Sequence, residues 1–415
     1  MLKKRRFLIN AAGILALSSF VFFGACTDKK TGSPAEPPPA AEEIPPDFPP
    51  EPGLPEAQAL ILRLEPYREQ AALIAAAMDD RQLAAQSLLT GLESSNFLGS
   101  AMRYMLSEIP AGGIMLYRAN LAAGKDEIHS FLSECAAVVA ENTGAAPFIA
   151  VDHEGGLVHR FGAGVMRLPS AYHFWETAEA VGMEASLARL EELVTQSAKE
   201  IRELGITMNL APVAEILSAE NKAFLETRSY GPDAAFVEMA ASAFIRAMDS
   251  QGIACVLKHF PGNSADDPHY RESIISADYD KLLSMTEPFR GILSNYNPSA
   301  VMISHSITEA VDSGRNSSLS PLVINWLRED FGFNGIVIAD DFGMRAVTSR
   351  GISSEEAAVL ALNAGVDMIM CWPHNIVSVH AAVLEALNDG RLPRERLLDA
   401  ATRILMEKIR YGLIP

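Results

Sequence analysis

The chain has 415 residues, of which 49% are hydrophobic and 21% charged, and its formal net charge is −18 at pH 7. This acidic balance weighs against a nucleic-acid-binding protein, because such proteins need clustered cations. Beyond Cys26, three scattered cysteines give no disulfide framework, and no Cys/His spacing indicates a zinc site or another metal.

Residues 1–26 have the pattern of a targeting segment. Four basic residues at positions 3–6 precede a mostly apolar run, Phe7 to Phe23, which is short for a membrane span. Gly24 and Ala25 then place small residues before Cys26. The segment is similar to a bacterial lipoprotein signal peptide, with Phe23 where leucine is usual. We expect lipidation of Cys26; the alternative is a plain secretory signal in which this cysteine is incidental.

Residues 27–55 contain ten prolines and several acidic residues. This composition predicts an extended, unpacked tether, which would lift a domain off a membrane or simply join it to its anchor. We therefore expect an exported protein, lipid-anchored to the bacterial cell envelope and attached to the membrane only by that anchor, with the leaflet left open. Residues 56–415 fit one large domain.

Eight apolar, β-branched runs predict strands. They are Gln86–Leu92, Gly112–Tyr117, Pro147–Asp152, Ile206–Val213, Ala254–His259, Ala300–His305, Ile336–Asp340 and Asp367–Cys371. Helical patterns alternate with them, including Ala185–Leu204, Ala234–Gln251, Glu355–Asn363, Leu384–Asp389 and Arg394–Tyr411. Strand–helix alternation predicts an α/β protein with a parallel sheet, and eight repeats favour a single TIM-like (β/α)8 barrel over an open sheet. No Gly-x-Gly-x-x-Gly follows an early strand, which weighs against a dinucleotide fold.

Polar residues stand at the carboxyl ends of five of these strands. They are Asp152 to Gly156, Asn209, Lys258 with His259, His305, and Asp340 with Asp341. Active sites of (β/α)8 barrels are built at this end of the strands. Five strands that end in this way therefore predict a site, although any one of these residues alone could be structural.

Asp340 is the strongest single candidate, because a short apolar run ends abruptly in its carboxylate. A carboxylate fixed near a cation such as Lys258 or Arg228 would remain ionised at neutral pH, as a nucleophile must. Asp341 is expected to be structural, since adjacent strand residues point to opposite sides.

The polar motifs, in their order and spacing, resemble those of the β-N-acetylglucosaminidase branch of glycoside hydrolase family 3. The matching segments run from about residue 78 to about residue 371. They are residues 151–156 with Arg160 and Phe161, residues 209–213, residues 228–231, residues 258–262, residues 301–305, and Asp340-Asp341 with Met344.

This resemblance implies roles for individual residues. Asp340 would be the nucleophile of a retaining glycosidase, and His269 its general acid/base with Asp267 as partner. The family's sugar-binding positions correspond to Asp152, Arg160, Arg228, Lys258 and His259. A structural charge network that holds strand ends together is the alternative for this last set. His305 also matches the family pattern but could equally be a core histidine.

The implied activity is a retaining exo-β-N-acetylglucosaminidase without cofactor or metal. It would remove terminal N-acetylglucosamine from muropeptides, chitooligosaccharides or glycans, in peptidoglycan turnover or carbohydrate metabolism. Phosphate could replace water as the acceptor. A β-glucosidase of the same superfamily and a non-catalytic glycan-binding envelope lipoprotein are the alternatives.

The loop that holds His269 departs from the family pattern. Residues 263–270 are two residues shorter than the usual segment and lack a further His and an Asp-Thr pair, while Pro268 replaces a serine. Proline stiffens this position. The loop is therefore expected to close differently, and Asp266 rather than Asp267 could be the partner of His269.

Overall fold

A computed structural model describes residues 56–93, 95–162 and 164–414. The predictions for the signal segment, the tether and Cys26 lie outside these residues. Within them, no helix has the length and apolar character needed to cross a bilayer.

Ten strands lie in the described part of the chain. They are β1 (Leu88–Gly91), β2 (Gly113–Leu116), β3 (Phe148–Val151), β4 (Met208–Asn209), β5 (Ala254–Phe260), β6 (Ile274–Ile275), β7 (Ala300–Ile303), β8 (Ile307–Thr308), β9 (Ile336–Ala339) and β10 (Met368–Cys371). Eight of them close a parallel barrel in the order β1-β2-β3-β4-β5-β7-β9-β10, and β10 pairs with β1. β6 and β8 form a separate two-stranded sheet. The predicted (β/α)8 barrel is confirmed, and each of the eight predicted runs overlaps one barrel strand; β5 extends one residue beyond its run, to Phe260.

The α-helices surround this barrel. Those in the described residues are α1 (Glu56–Ala77), α2 (Asp80–Gln86), α3 (Ser100–Glu108), α4 (Lys125–Thr143), α5 (Ala171–Val181), α6 (Met183–Glu203), α7 (Lys222–Leu225), α8 (Ala234–Asp249), α9 (Tyr279–Met285), α10 (Glu287–Asn295), α11 (Pro321–Asn325), α12 (Arg345–Thr348), α13 (Ser354–Ala364), α14 (Ile376–Asn388) and α15 (Arg394–Arg410). The sequence placed α15 closely. It predicted only the second half of α14.

Side chains alternate along the barrel strands between two hydrophobic layers. In β3, Phe148 and Ala150 belong to the inner layer and Ile149 and Val151 to the layer beneath the helices. This is the period of two that a barrel strand requires. Ile404 of α15 also packs with the inner layer. The barrel interior is therefore a packed core, and the residues beyond the strand ends are left to form a site.

β4 is much shorter than the predicted Ile206–Val213. The Lys258 amide N–H donates to the carbonyl of Pro212 at 3.0 Å, and Val213 forms an isolated bridge with Lys258. Pro212 has no N–H and so cannot donate to a continuous ladder. The chain nevertheless stays alongside β5, which places residues 213–216 next to the strand end that carries Lys258.

A lysine is buried in α15 without a carboxylate partner among its hydrogen bonds. Lys408 is 0% exposed, and its Nζ donates to Oε1 of Gln86 at 2.7 Å. Burial lowers the pKa of Lys408 to about 7. The unfolded chain keeps this proton up to about pH 10.4. Between these two values the unfolded state binds more protons, so this residue makes stability rise as pH rises.

We expect Lys408→Met to be more stable than the wild type at pH 7, because the variant no longer buries an ionisable amine. Its advantage should shrink as pH rises, by up to about 1.4 kcal/mol per pH unit between about pH 7 and 10. Urea unfolding at several pH values measures this difference. Lys281→Met, at an exposed lysine of α9, is the matched control. Parallel pH profiles for Lys408→Met and wild type would contradict the prediction.

Candidate active site

Lys258 joins strand ends at the carboxyl-terminal mouth of the barrel. Its Nζ donates to Oδ1 of Asp152, which directly follows β3, at 3.0 Å. Arg160 donates to the other oxygen of Asp152 at 3.2 Å. Three residues predicted from the sequence to bind the sugar are thus in one hydrogen-bonded group.

Glu154 completes this group and was not among the predicted site residues. Its two oxygens accept bidentate hydrogen bonds from Nε and Nη2 of Arg228, at 2.8 and 2.9 Å, and Oε1 lies 2.6 Å from Nζ of Lys258. Lys258 therefore bridges Asp152 and Glu154. A signal was present in the sequence, because the predicted sugar-binding set contained three cations and only one carboxylate, Asp152.

Opposite charges keep the members of this network ionised in spite of burial. Burial opposes ionisation of Asp152, but Lys258 and Arg160 outweigh it and hold its pKa below the ordinary value. Arg228 and Lys258 do the same for the pKa of Glu154. Burial also opposes the charge of Lys258, but the two carboxylates raise its pKa above the ordinary value. The network is a fixed set of charged donors and acceptors.

Exposure divides the network into two parts. The side chains of Lys258 and Glu154 are 3% and 5% exposed, whereas those of Asp152 and Arg160 are 19% and 33% exposed. The buried pair holds the strand ends together. Asp152 and Arg160 retain open surface through which a polar molecule could be bound.

His259, the other residue of the pair at the end of β5, has a buried carboxylate partner. Its Nδ1 donates to Oε1 of Glu215 at 2.7 Å, and Nδ2 of Asn263 donates to the same oxygen at 2.9 Å. Glu215 is 2% exposed, and its Oε2 has no partner among the described residues. The bond to Glu215 fixes the ring of His259 and leaves its Nε2 as the nitrogen available for other contacts. Sequence reasoning missed Glu215, because no local pattern links it to His259.

The structure brings His269 and Asp267 together on the loop after β5. Nδ1 of His269 lies 2.7 Å from Oδ1 of Asp267, and the same oxygen accepts the His269 amide N–H at 2.9 Å. Asp266 instead lies 3.4 Å from Arg271. The partner of His269 is thus Asp267. Both members of the pair are open to solvent, with side chains 54% and 39% exposed.

This loop is attached to the segment that follows Asp340. The amide of Ala346, in α12, donates to the carbonyl of Pro268 at 3.0 Å, and the amide of Arg345 to that of His269 at 3.4 Å. Since α12 begins five residues after Asp340, the shortened loop is connected through backbone to the nucleophile candidate.

Asp340 directly follows β9, and its carboxylate is oriented by its neighbour. The Asp341 amide donates to Oδ1 of Asp340 at 2.9 Å. The Asp341 carboxylate accepts from the Gly343 amide at 2.8 Å and from Nε1 of Trp372. Burial raises the pKa of Asp341. Asp341 thus bonds within the protein, in keeping with the structural role expected for it.

His305 contacts the same segment from the end of β7. Burial lowers the pKa of this histidine, so the neutral ring is favoured. Its Nε2 donates to the carbonyl of Asp341 at 3.0 Å, and the hydroxyl of Ser318 lies 2.7 Å from its Nδ1. His305 is thus a buried histidine with both ring nitrogens bonded, and it supports the chain next to Asp340.

In the part of the chain that the structure describes, no group of three or more His, Cys, Asp or Glu residues is arranged to hold a metal ion.

Residues 89–406 match the model of the glycosyl hydrolase family 3 N-terminal domain. The chain belongs to glycosyl hydrolase family 3. It is therefore a member of a family of glycoside hydrolases, enzymes that cleave O-glycosidic bonds, and the residues assembled above lie where the active site of such a barrel is built.

Curated members of family 3 are similar over most of the chain. A β-hexosaminidase of Methylococcus capsulatus is 32% identical over 296 residues, which cover 70% of this chain and 84% of the relative. The β-hexosaminidase LpqI of Mycobacterium tuberculosis is 28% identical over 353 residues, covering 81% and 84%.

Two solved structures share the fold. A family 3 β-N-acetylglucosaminidase from Paenibacillus sp. FPU-7 superposes with a TM-score of 0.75 at 27% identity, over 81% of this chain and 63% of that one. M. tuberculosis LpqI superposes with a TM-score of 0.72 at 26% identity, over 81% and 96%. This chain therefore spans less than two thirds of the Paenibacillus protein and nearly all of LpqI.

We expect Glu154→Gln to destabilise the protein by about 3–5 kcal/mol, because it removes one member of a buried charge network and leaves Lys258 and Arg228 undercompensated. Chemical unfolding measures the loss. Glu220→Gln, at an exposed position, is the matched control and should unfold like the wild type. A Glu154→Gln variant as stable as the wild type would show that the bidentate pair with Arg228 does not support the site.

Proposed function

We propose that the protein is a retaining exo-β-N-acetylglucosaminidase that hydrolyses terminal N-acetylglucosamine from muropeptides, chitooligosaccharides or glycans. The observation that carries the proposal is the connection between Asp340 and the His269–Asp267 pair through the backbone bonds of α12. The names of the relatives support the sugar: β-hexosaminidases at 28–32% identity and a β-N-acetylglucosaminidase of the same fold.

The first step forms a glycosyl-enzyme. A carboxylate oxygen of Asp340 attacks the anomeric carbon, and the bond from that carbon to the leaving oxygen breaks. Protonated His269 gives its Nε2 proton to the leaving oxygen. Asp267 accepts the Nδ1–H bond and so holds the ring orientation and stabilises the imidazolium before transfer.

The second step releases the sugar. Neutral His269 takes a proton from water through Nε2 while the water oxygen attacks the anomeric carbon, and Asp340 leaves as a carboxylate. The half-exposed position of His269 suits this step, because water must reach it. Phosphate could take the place of water, since a neutral imidazole repels an anion less than a carboxylate would.

The charge network offers contacts for the terminal sugar. A carboxylate accepts two hydrogen bonds from neighbouring hydroxyls, and guanidinium or ammonium groups donate to hydroxyl or acetamido oxygens. Asp152 and Arg160 keep open surface for such bonds. Lys258, Arg228 and His259 complete the proposed binding set.

We expect the domain from residue 56 onward to release nitrophenol from the β-N-acetylglucosaminide in preference to the β-glucoside. Asp340→Asn should abolish this release, because an amide is too weak a nucleophile. Release from the glucoside alone would favour a β-glucosidase. Binding of glycan without release from either substrate, by a folded protein, would favour the non-catalytic lipoprotein. In phosphate buffer, formation of glycosyl phosphate would show that phosphate serves as an acceptor.

The neighbouring carboxylates of the loop provide a matched pair for this assay. Asp267→Asn should lower kcat by about 10²–10⁴-fold on chitobiose, whose leaving group needs protonation, and by less on the nitrophenyl glycoside, whose leaving group does not. Asp266→Asn changes the same chemical group one residue away and should behave like the wild type. Equal losses of kcat in the two variants would rule out the proposed role of Asp267.

We also propose that residues 1–26 are a lipoprotein signal and that Cys26 anchors the protein to the cell envelope, supported by the basic, apolar and small-residue order of this segment. The Cys26→Ala variant of the full chain, expressed in a bacterium that processes lipoproteins, should move from the membrane fraction to the soluble exported fraction. A wild-type protein that is already soluble would favour the plain secretory signal.

A further inference from the structure

Two aromatic side chains are stacked at the mouth of the barrel beside the proposed active site. Tyr117 follows β2 and Trp372 follows β10, with ring centroids 4.9 Å apart and planes only 10° from parallel. β1 lies between these strands, and it ends at Gly91. A Cβ at Gly91 would lie 3.2 Å from Cδ of Pro373 and 3.2 Å from Cε2 of Tyr117. The missing side chain at Gly91 leaves room for the pair.

The backbone of each aromatic residue is also held. The Tyr117 amide donates to Oδ1 of Asn120 at 2.9 Å, and the Trp372 amide donates to Oδ1 of Asn375 at 2.8 Å. Stacking fixes the rings and these bonds fix the chain. The indole N–H of Trp372 therefore has a defined direction.

This indole N–H donates to Oδ2 of Asp341. The other carboxylate oxygen of Asp341 accepts the Gly343 amide at 2.8 Å, and its carbonyl accepts Nε2 of His305 at 3.0 Å. Asp341 is thus held from β10, from β7 and from its own turn. Its amide in turn donates to Oδ1 of Asp340 at 2.9 Å.

We propose that Trp372 is a positioning residue for the nucleophile: it fixes Asp341, and the amide of Asp341 then aligns the carboxylate of Asp340. This rests on the proposed function, in which Asp340 attacks the anomeric carbon. With Oδ1 bonded to the amide, Oδ2 of Asp340 is the oxygen directed to the sugar. Reacting groups must be held to within about 0.5 Å, and a displacement of about 1 Å can cost about 100-fold in rate.

Trp372→Phe separates this role from simple packing. Phenylalanine keeps an aromatic ring to stack on Tyr117 but lacks the N–H donor. We expect kcat on chitobiose to fall about 10- to 100-fold, with KM changed by less than about twofold, because sugar binding is untouched while nucleophile alignment is lost. Trp175→Phe makes the same change on α5, where the indole packs against Phe236, and should leave both constants unchanged.

A double-mutant cycle tests whether Trp372 acts through Asp341. In the Asp341→Ala background, Trp372→Phe should cost much less than in the wild type, because the side chain that accepts the indole N–H is already gone. The same fold-loss in both backgrounds would overturn the proposal. An unchanged kcat per folded molecule in Trp372→Phe would also overturn the proposal, even if this variant melted at a lower temperature.

Hydrogen–deuterium exchange of the ligand-free domain provides a readout that does not depend on turnover. In Trp372→Phe, the amides of Asp341 and Gly343 should exchange faster than in the wild type and in Trp175→Phe. Unchanged exchange would overturn the positioning role even if the protein is a glycosidase. A wild type without glycosidase activity would instead refute the proposed function, and the exchange experiment would then show whether Trp372 still fixes this segment.

Discussion

The ammonium group of Lys258 is the interaction on which the site depends. An amine buried to 3% exposure is costly unless it is paired and hydrogen-bonded, and here it bridges Asp152 at 3.0 Å and Glu154 at 2.6 Å. Two carboxylates against one ammonium leave excess negative charge. Arg228 pairs with Glu154 through a bidentate bond and Arg160 pairs with Asp152, so each carboxylate has a cationic partner besides Lys258 and the cations outnumber the carboxylates by one. Burial of one cation thus sets the charge required at four other positions.

This requirement also explains how distant segments come to share a site. Glu154 and Arg228 are 74 residues apart, and Asp152 and Lys258 are 106 apart. Parallel strands of a closed barrel bring their carboxyl ends to one mouth. Charge pairing then selects which side chains meet there. The result is a rigid charge network, because moving any of its buried side chains away would leave an uncompensated charge.

The fold could be predicted largely from the sequence, because barrel strands carry a strong local signal. Apolar, β-branched runs such as Ile336–Ala339 are buried on both sides, and each of the eight was recognisable. Only the length of β4 was clearly wrong, because Pro212 interrupts the hydrogen-bond ladder and ends the strand early. The strand ends were also predictable, since a polar residue such as Asp340 interrupts an apolar pattern at a fixed place.

Hydrogen-bond partners that meet at the barrel mouth from distant parts of the sequence could not be predicted in the same way. Glu215 and His259 are 44 residues apart, and Asp341 and Trp372 are 31 apart. Nothing local in the sequence connects such pairs. Glu154 was a different case, because the predicted sugar-binding set contained three cations and only one carboxylate, Asp152, and this imbalance indicates that a second carboxylate is needed. Charge balance at a strand end is therefore a usable signal, whereas a hydrogen bond between segments distant in sequence is not.

The proposed mechanism fits the unequal exposure of the two halves of the site. The proposed sugar-binding network is mostly buried, so its donors and acceptors would already be in place before a sugar arrives and would need little reorganisation. The His269–Asp267 pair is half exposed, yet the shortened loop is fixed by backbone bonds to α12 rather than by burial. An acid that later becomes a base needs access to water for the second step. A loop held through its backbone can provide that access without losing its position relative to Asp340.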